Sequence, residues 1–255
     1  MVAQELKSAG FKVYAAARRV DRMADLEKDG ITPVALDLTR DGSIAACVNT
    51  ILSKEKSIDV LVNNAGYGSY GAIEDVPLEE GRRQFEVNLF GTARLIRLVT
   101  PAMREQHYEK IVNISLMGGK IWTKFGGWYH ATKYAVEGLS DCLRMELQPF
   151  GIDIVVVEPG GIKTDRGLIA AENLKKTSTN GAYAEMANKA ADGMIKNYSG
   201  DLLSKPALIA KTVRKAVTNR RPRTRYLVGF GAKPMVWTHR LFGDRVFDWV
   251  LRTFS

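Results

Sequence analysis

Short apolar segments alternate with amphipathic stretches along this 255-residue chain, which predicts one α/β domain built on a parallel sheet flanked by helices. Two observations carry that expectation. Six β-length apolar runs fall near 11–17, 31–38, 58–62, 110–115, 152–157 and 225–230, mostly bounded by Gly, Asn, Asp or Pro. Between them, apolar residues recur at helical spacing. A chain of this length, 45% hydrophobic and 25% charged, can bury one sizeable core, so residues 1–255 are read as a single domain.

Taken in order, Val2, Ala3, Leu6 and Ala9 have helical spacing, and Gly10 is a plausible C′ stop. The first strand ends at Ala17-Arg18-Arg19 and the second at Asp37-Leu38. Helix Asp41 to Ser53 sets Ile44, Cys47, Val48 and Ile51 on one stripe. Strand 58–62 closes on N-N-A-G, Asn63 to Gly66, where small residues allow close approach of a ligand to the backbone. Gly66 to Gly71 fits G-x-G-x-x-G after a strand. Pro77 interrupts the helix that motif requires and no strand-end acid follows about twenty residues on, so it reads as a loop beside the site. Leu78 to Glu105 is one long helix bearing Asn88 and interrupted only by Pro101.

Strand 110–115 leads into a Gly-containing loop, Leu116 to Gly127, whose Trp122, Phe125 and Trp128 suggest an apolar wall for a pocket. Helix Tyr129 to Phe150 packs Tyr134, Ala135, Leu139 and Leu143 inward and offers a face for a second copy, in a homodimer or homotetramer. Residues 165–205 lose clear periodicity and read as a mobile lid over the substrate. Pro206 to Val217 is a helix, and 232–255 is a helical extension in which Val236, Leu241, Phe242, Val246, Phe247, Val250 and Phe254 lie near helical spacing. Packing over the pocket or the domain edge ranks above a membrane-surface role for that tail.

The chemistry centres on Lys110 to Glu146. Tyr129 and Lys133, four residues apart, share one helical face, and an ammonium near a phenol favours the phenolate and makes Tyr a usable acid/base. Alone, Y-x-x-x-K is weak. Here it follows a strand ending in Asn-Ile-Ser and a loop with Gly118 and Gly119, and it is accompanied by Asn63 to Gly66, by V-N-L-F-G at Val87 to Gly91 and by E-P-G-G-I-K-T at Glu158 to Thr164. In order and spacing the set resembles the classical short-chain dehydrogenase/reductase family, hydroxysteroid/retinol dehydrogenase-like branch, over nearly the whole chain.

That resemblance implies a Rossmann-like doubly wound sheet in three αβα layers, and a carbonyl–alcohol oxidoreductase. Tyr129 would be the proton donor/acceptor, Lys133 would lower its pKa and position the ribose, and Asn88 would hold a relay water. Asp37 and Leu38 would lie at the adenine edge, Asn64, Ala65, Gly66, Pro159 and Gly160 along the cofactor, the Ile162 backbone at the carboxamide and Thr164 at the pyrophosphate. No acid stands at the end of the first strand, whereas Arg18, supported by Arg19, can accept a 2′-phosphate, which argues for NADP(H) over NAD(H).

Two departures stand out. The family's Gly-rich phosphate loop, with its strand, would precede the opening helix and is missing, because Gly10 is the only glycine between Met1 and Gly30. Either the sequence lacks a preceding segment, the favoured expectation, or the protein has lost that element. The family's catalytic Ser lies thirteen residues before the Tyr, which here is Leu116, with Ser115 one position early. Neighbours on an extended segment point to opposite faces, so Ser115 replaces the lost donor only after a register shift. An active but impaired reductase of a small apolar carbonyl or alcohol and a non-catalytic nucleotide- or partner-binding relative both remain open.

Composition excludes other classes. Cys47 and Cys142 read as two buried reduced thiols of a cytoplasmic protein, and His107, His130 and His239 are too scattered for a metal site. No run of eighteen apolar residues spans a bilayer, and MVAQELKSAG lacks the apolar core of a signal peptide. The net charge of +9 and the seven basic residues between Lys211 and Arg225 read by default as solvated surface, and no nucleic-acid partner is expected.

Overall fold

A computed structural model describes residues 1–106 and 109–253. His107 and Phe254 lie outside the described residues. In order the elements are α1 (Val2–Ser8), β1 (Tyr14–Ala17), α2 (Ala24–Lys28), β2 (Thr32–Ala35), α3 (Asp41–Glu55), β3 (Val60–Asn63), α4 (Leu78–Phe85), α5 (Gly91–Gln106) and β4 (Lys110–Ile114). There follow α6 (Gly127–Leu147), β5 (Asp153–Pro159), α7 (Asp165–Ser178), α8 (Ala184–Ser199), α9 (Ala207–Thr218), β6 (Arg225–Val228) and α10 (Ala232–Thr253).

All strand pairs are parallel. β1 pairs with β2, and a second sheet runs β3-β4-β5-β6, with Ile111 opposite Ile154 and Val157 opposite Tyr226. Alternation along the strands supplies both faces. Ile111 and Ile154 join a core with Ile44, Val48, Leu95, Val99 and Met103, while Val112, Val155 and Val157 join the opposite core with Leu6, Val213 and Val217. Helices of α3 and α5 cover one face, and α1 and α9 the other, which gives the three layers expected.

The sheet is divided in one place. Among the described residues β1 bonds only to β2 and β3 only to β4, so the break lies between β1 and β3. Val13, Ala15, Val60 and Val62 nevertheless contribute to one apolar cluster with α1, so side-chain packing bridges the break.

Several expectations need correction. The long helix is α4 and α5 joined by a π turn, Glu86–Phe90, centred on Asn88. The loosely patterned 165–205 is largely two helices, α7 and α8, closed on each other by Ala171, Leu174, Ala187 and Ala191. These small residues, set among polar ones, give little periodic signal. On α6 the buried face is Thr132, Lys133, Val136, Glu137 and Ser140, whereas Tyr134 is exposed. Cys47 is buried, but Cys142 is exposed, and both are free. In α10 Ala232 and Phe247 are buried and Met235, Val236, Val250 and Leu251 half-buried, whereas Trp237, Leu241, Phe242, Val246 and Trp249 are exposed.

Candidate active site

A buried polar ladder sets the frame. Asn63 Nδ2 donates to Asn113 Oδ1 (2.8 Å), and Asn113 Nδ2 donates to Ser140 Oγ (2.9 Å), which ties β3, β4 and α6 together at the strand ends. The start of α6 is pinned by His130. Its Nδ1 lies 2.9 Å from Gly118 O, and its Nε2 accepts from Thr123 N (3.1 Å). Accepting at Nε2 requires the neutral Nδ1–H tautomer, in keeping with burial, which lowers the His130 pKa.

Asn88 is buried in the π turn. Its Nδ2 donates to Tyr67 O (2.8 Å) and Thr132 Oγ1 (3.0 Å), and its Oδ1 accepts from Tyr67 N (3.0 Å). The Asn88 side chain thus clamps the loop after β3 to α6. Two glycines permit that approach. A Cβ at Gly66 would lie 3.0 Å from Asn88 Oδ1, and one at Gly68 would lie 2.7–3.0 Å from the Tyr129 ring.

Lys133 is buried, donates from Nζ to Ile114 O (2.9 Å) and lies 5.8 Å from the Tyr129 ring centroid. Burial, then the charge of Arg166, pulls its pKa down to about 8. Burial pushes the Tyr129 hydroxyl up to about 12, and the charge opposing that rise is Arg166. Lys133, the partner expected from the sequence, gives one of its three donors to the Ile114 carbonyl. Arg166 was missed in the sequence, although a cation in the first turn of a helix opposes its dipole and marks a position needing another reason.

Tyr129 and Lys133 open on a cavity of about 310 Å³, shared with Asn64, Ser115, Leu116, Pro159, Gly160, Ile162 and Thr164. These come from separate segments at the carboxyl ends of β3, β4 and β5, the usual place for ligands on such sheets. Ser115 Oγ is buried without a partner, and a Cβ at Gly119 would meet it at 2.9 Å, beside Glu137 and Lys133 O. Leu116 is extended (φ −163, ψ 159), and both it and Ser115 line the cavity.

A family model described as short chain dehydrogenase matches residues 1–174. The chain belongs to the short-chain dehydrogenase family. A solved short-chain dehydrogenase from Streptomyces avermitilis is 33% identical, with TM-score 0.81 over 94% of this chain and 87% of that one. An actinorhodin polyketide ketoreductase solved with NADPH is 26% identical, with TM-score 0.72 over 88% of each chain. A 3-ketodihydrosphingosine reductase of Bacteroides thetaiotaomicron is 31% identical over 260 aligned positions, 100% of this chain and 92% of that protein.

Other residues expected of a short-chain dehydrogenase site are placed as follows. Ala65 and Gly66 continue the loop from Asn64. Asp37 Oδ1 accepts from Thr39 N (3.0 Å) and Thr39 Oγ1 (2.8 Å), bonds that lower its pKa, with Arg18 contributing a smaller electrostatic effect. Arg18 and Arg19 are exposed at the end of β1, and Leu38 backs Gly91, outside the cavity lining. The aromatic loop is the main correction. Trp122 donates to Asp248 and packs edge-on to Phe247, Trp128 lies against Gly81 and Phe85, and Phe125 faces Tyr183. The apolar wall is instead Tyr70, Ile162, Met194, Tyr198 and Ile209.

Proposed function

We propose that this short-chain dehydrogenase is an NADP(H)-dependent oxidoreductase interconverting a carbonyl and an alcohol on an apolar, chain-like substrate. The observation that carries the reading is the convergence of Tyr129 and Lys133 with Asn64, Pro159, Ile162 and Thr164 around one cavity. The residues fit the nicotinamide–ribose half of such a cofactor, because Gly68 lines the cavity without a side chain where a Cβ would meet the Tyr129 ring. Arg18, exposed at the end of β1 where the sequence places no Asp or Glu, supports a 2′-phosphate, and the NADPH-bound ketoreductase is similar in fold. Tyr70, Met194 and Tyr198 support an apolar substrate, as does the likeness to a reductase named for a long-chain ketone.

When bound, the nicotinamide supplies the hydride chemistry. Tyr129 gives its hydroxyl proton to the substrate oxygen in reduction and takes it back in oxidation. Burial keeps that phenol protonated at neutral pH, while Arg166 eases its ionisation. Lys133 offers its Nζ from the Ile114 carbonyl toward the ribose side, and Asn88 positions the Tyr67 loop. Leu116 supplies no hydrogen bond to the developing oxyanion, so turnover is slow. Leu116 also favours a second reading, a non-catalytic nucleotide- or partner-binding relative. A homodimer or homotetramer in the cytoplasm completes the proposal; no helix among the described residues is long and apolar enough to cross a membrane.

Titration with NADPH and NADH, followed by turnover on a panel of long-chain ketones, tests this. Tighter binding of NADPH and turnover lost in Tyr129→Phe are expected. Binding of NADPH without turnover on any ketone assigns the second reading, and binding of neither dinucleotide rejects both cofactor assignments.

A further inference from the structure

The last helix presents a face that the fold does not cover. Gly243 (φ 74, ψ −176) breaks α10 into two segments, each anchored on its inner side, by Ala232 in the first and Phe247 in the second. The other side carries Trp237, Leu241, Phe242, Val246 and Trp249, all exposed, with Leu241 at 67% and Trp249 at 65%. Five large exposed apolar residues on one helix are more than scattered surface residues explain.

The same arrangement recurs on both segments. Trp237 and Leu241 are four residues apart and share a face, and Val246 and Trp249, three apart, share the next. Each pair is bordered by cations about one turn away. Lys233 and Arg240 flank Trp237, and Arg245 and Arg252 flank Trp249. The charge is one-sided. Asp244 pairs with His239 (2.9 Å) and Asp248 accepts from Trp122 Nε1 (3.0 Å), so both acids of the helix are engaged within the protein. Lys233, Arg240, Arg245 and Arg252 are exposed and have no ion pair among the described residues.

We infer that α10 docks on an anionic lipid bilayer. The side chains of Trp237, Leu241, Val246 and Trp249 enter the boundary between headgroups and acyl chains, and the four cations meet the anionic headgroups. Indole suits that boundary because its body is apolar and its N–H is polar. A second copy fits less well. A two-fold contact sets each surface patch against itself, which brings four cations against four with both acids already used. An anionic surface meets the same cations with complementary charge, in keeping with the chain's net charge of +9. Through Trp122 the docked helix adjoins the loop that leads into Tyr129, so the lipid face and the catalytic helix are joined by packing.

Co-sedimentation of the full chain with vesicles tests this, using phosphatidylcholine alone and phosphatidylcholine with phosphatidylserine at roughly 3:1. Binding to the mixed vesicles only, weakened by salt, is expected. Trp237→Ser with Trp249→Ser should abolish it while circular dichroism and the melting transition stay unchanged. Arg240→Ser, Arg245→Ser and Arg252→Ser together should lower the apparent affinity roughly a hundredfold. No binding to mixed vesicles, or equal binding to both kinds, overturns the inference. So does a dimer in sedimentation velocity that the tryptophan double variant dissociates, because it gives the face to a second copy.

Discussion

Replacing Lys133 by Met should abolish turnover and yet stabilise the folded protein near neutral pH. Lys133 is 5% exposed, and its pKa falls from 10.5 to about 8 on folding. Each unit is worth about 1.4 kcal/mol, so holding the buried charge costs the fold about 3 kcal/mol. Methionine has similar length and no charge, but it forfeits the bond to Ile114 O, which offsets about 1 kcal/mol. The net gain at pH 7 is about 2 kcal/mol, or roughly 5 °C in melting temperature for a chain of this size. The sign with pH follows from proton counting. Between about pH 8 and 10.5 the unfolded chain holds a proton on Lys133 that the native state has released, so wild-type stability rises with pH there. The stability associated with Lys133 is therefore present above pH 10.5 and lost as pH falls through about 8. Thermal melts of Lys133→Met and wild type from pH 7 to pH 10.5 measure the difference directly. It should be largest at pH 7 and shrink as pH rises. A difference independent of pH, or a variant less stable than wild type at pH 7, would refute a buried cation as the source of the cost.

Leu116→Ser should raise kcat by up to roughly 10²-fold with little change in KM, because the new donor acts on charge that develops at the substrate oxygen; equal kcat in both proteins means another donor already serves. Gly68→Ala should lower activity sharply and stability by about 1–3 kcal/mol, since its Cβ would lie 2.7 Å from Tyr129 Cγ; an unchanged kcat shows that the ring can retreat without cost. Glu158→Gln should be most stabilising above about pH 7. Burial, then the neighbouring Glu137, raises the Glu158 pKa to about 7, so wild-type stability is present at acid pH and lost as pH rises through that value, and chemical denaturation at pH 5 and pH 8 reads the difference.

How much of this was legible in the sequence depended on how local the determining forces are. The parallel strands were, because a strand buried on both faces needs an unbroken apolar run such as Ile154 to Val157. Tyr129 and Lys133 were, because four-residue spacing on a helix fixes a shared face before any tertiary contact forms. The directions of Trp122, Phe125 and Trp128 were not. Each is settled by a partner distant in sequence, namely Asp248, Tyr183 and the bare backbone at Gly81. Tyr134 misled for a related reason. Its ring suggested burial, but the inward face of α6 is spent on Lys133, Glu137 and Ser140, polar groups that the site and its neighbouring ion pairs require.

Those departures from local rules gather at one place. Lys133 is a buried cation, Ser115 carries a buried hydroxyl without a partner, Asn88 sits in a π turn, and Gly66 and Gly68 admit no side chain without displacing the site. Each costs stability on its own, the Ser115 hydroxyl about 1–3 kcal/mol. Their clustering at the carboxyl ends of β3, β4 and β5 is what a fold shaped around chemistry produces, since a merely structural pocket gains nothing from them. Leu116 is the opposite kind of exception, an apolar residue in an apolar wall, locally untroubled where the family places a donor. The surrounding costs thus gather where the cavity lies, and Leu116 is the position in its lining at which this chain departs from the family pattern.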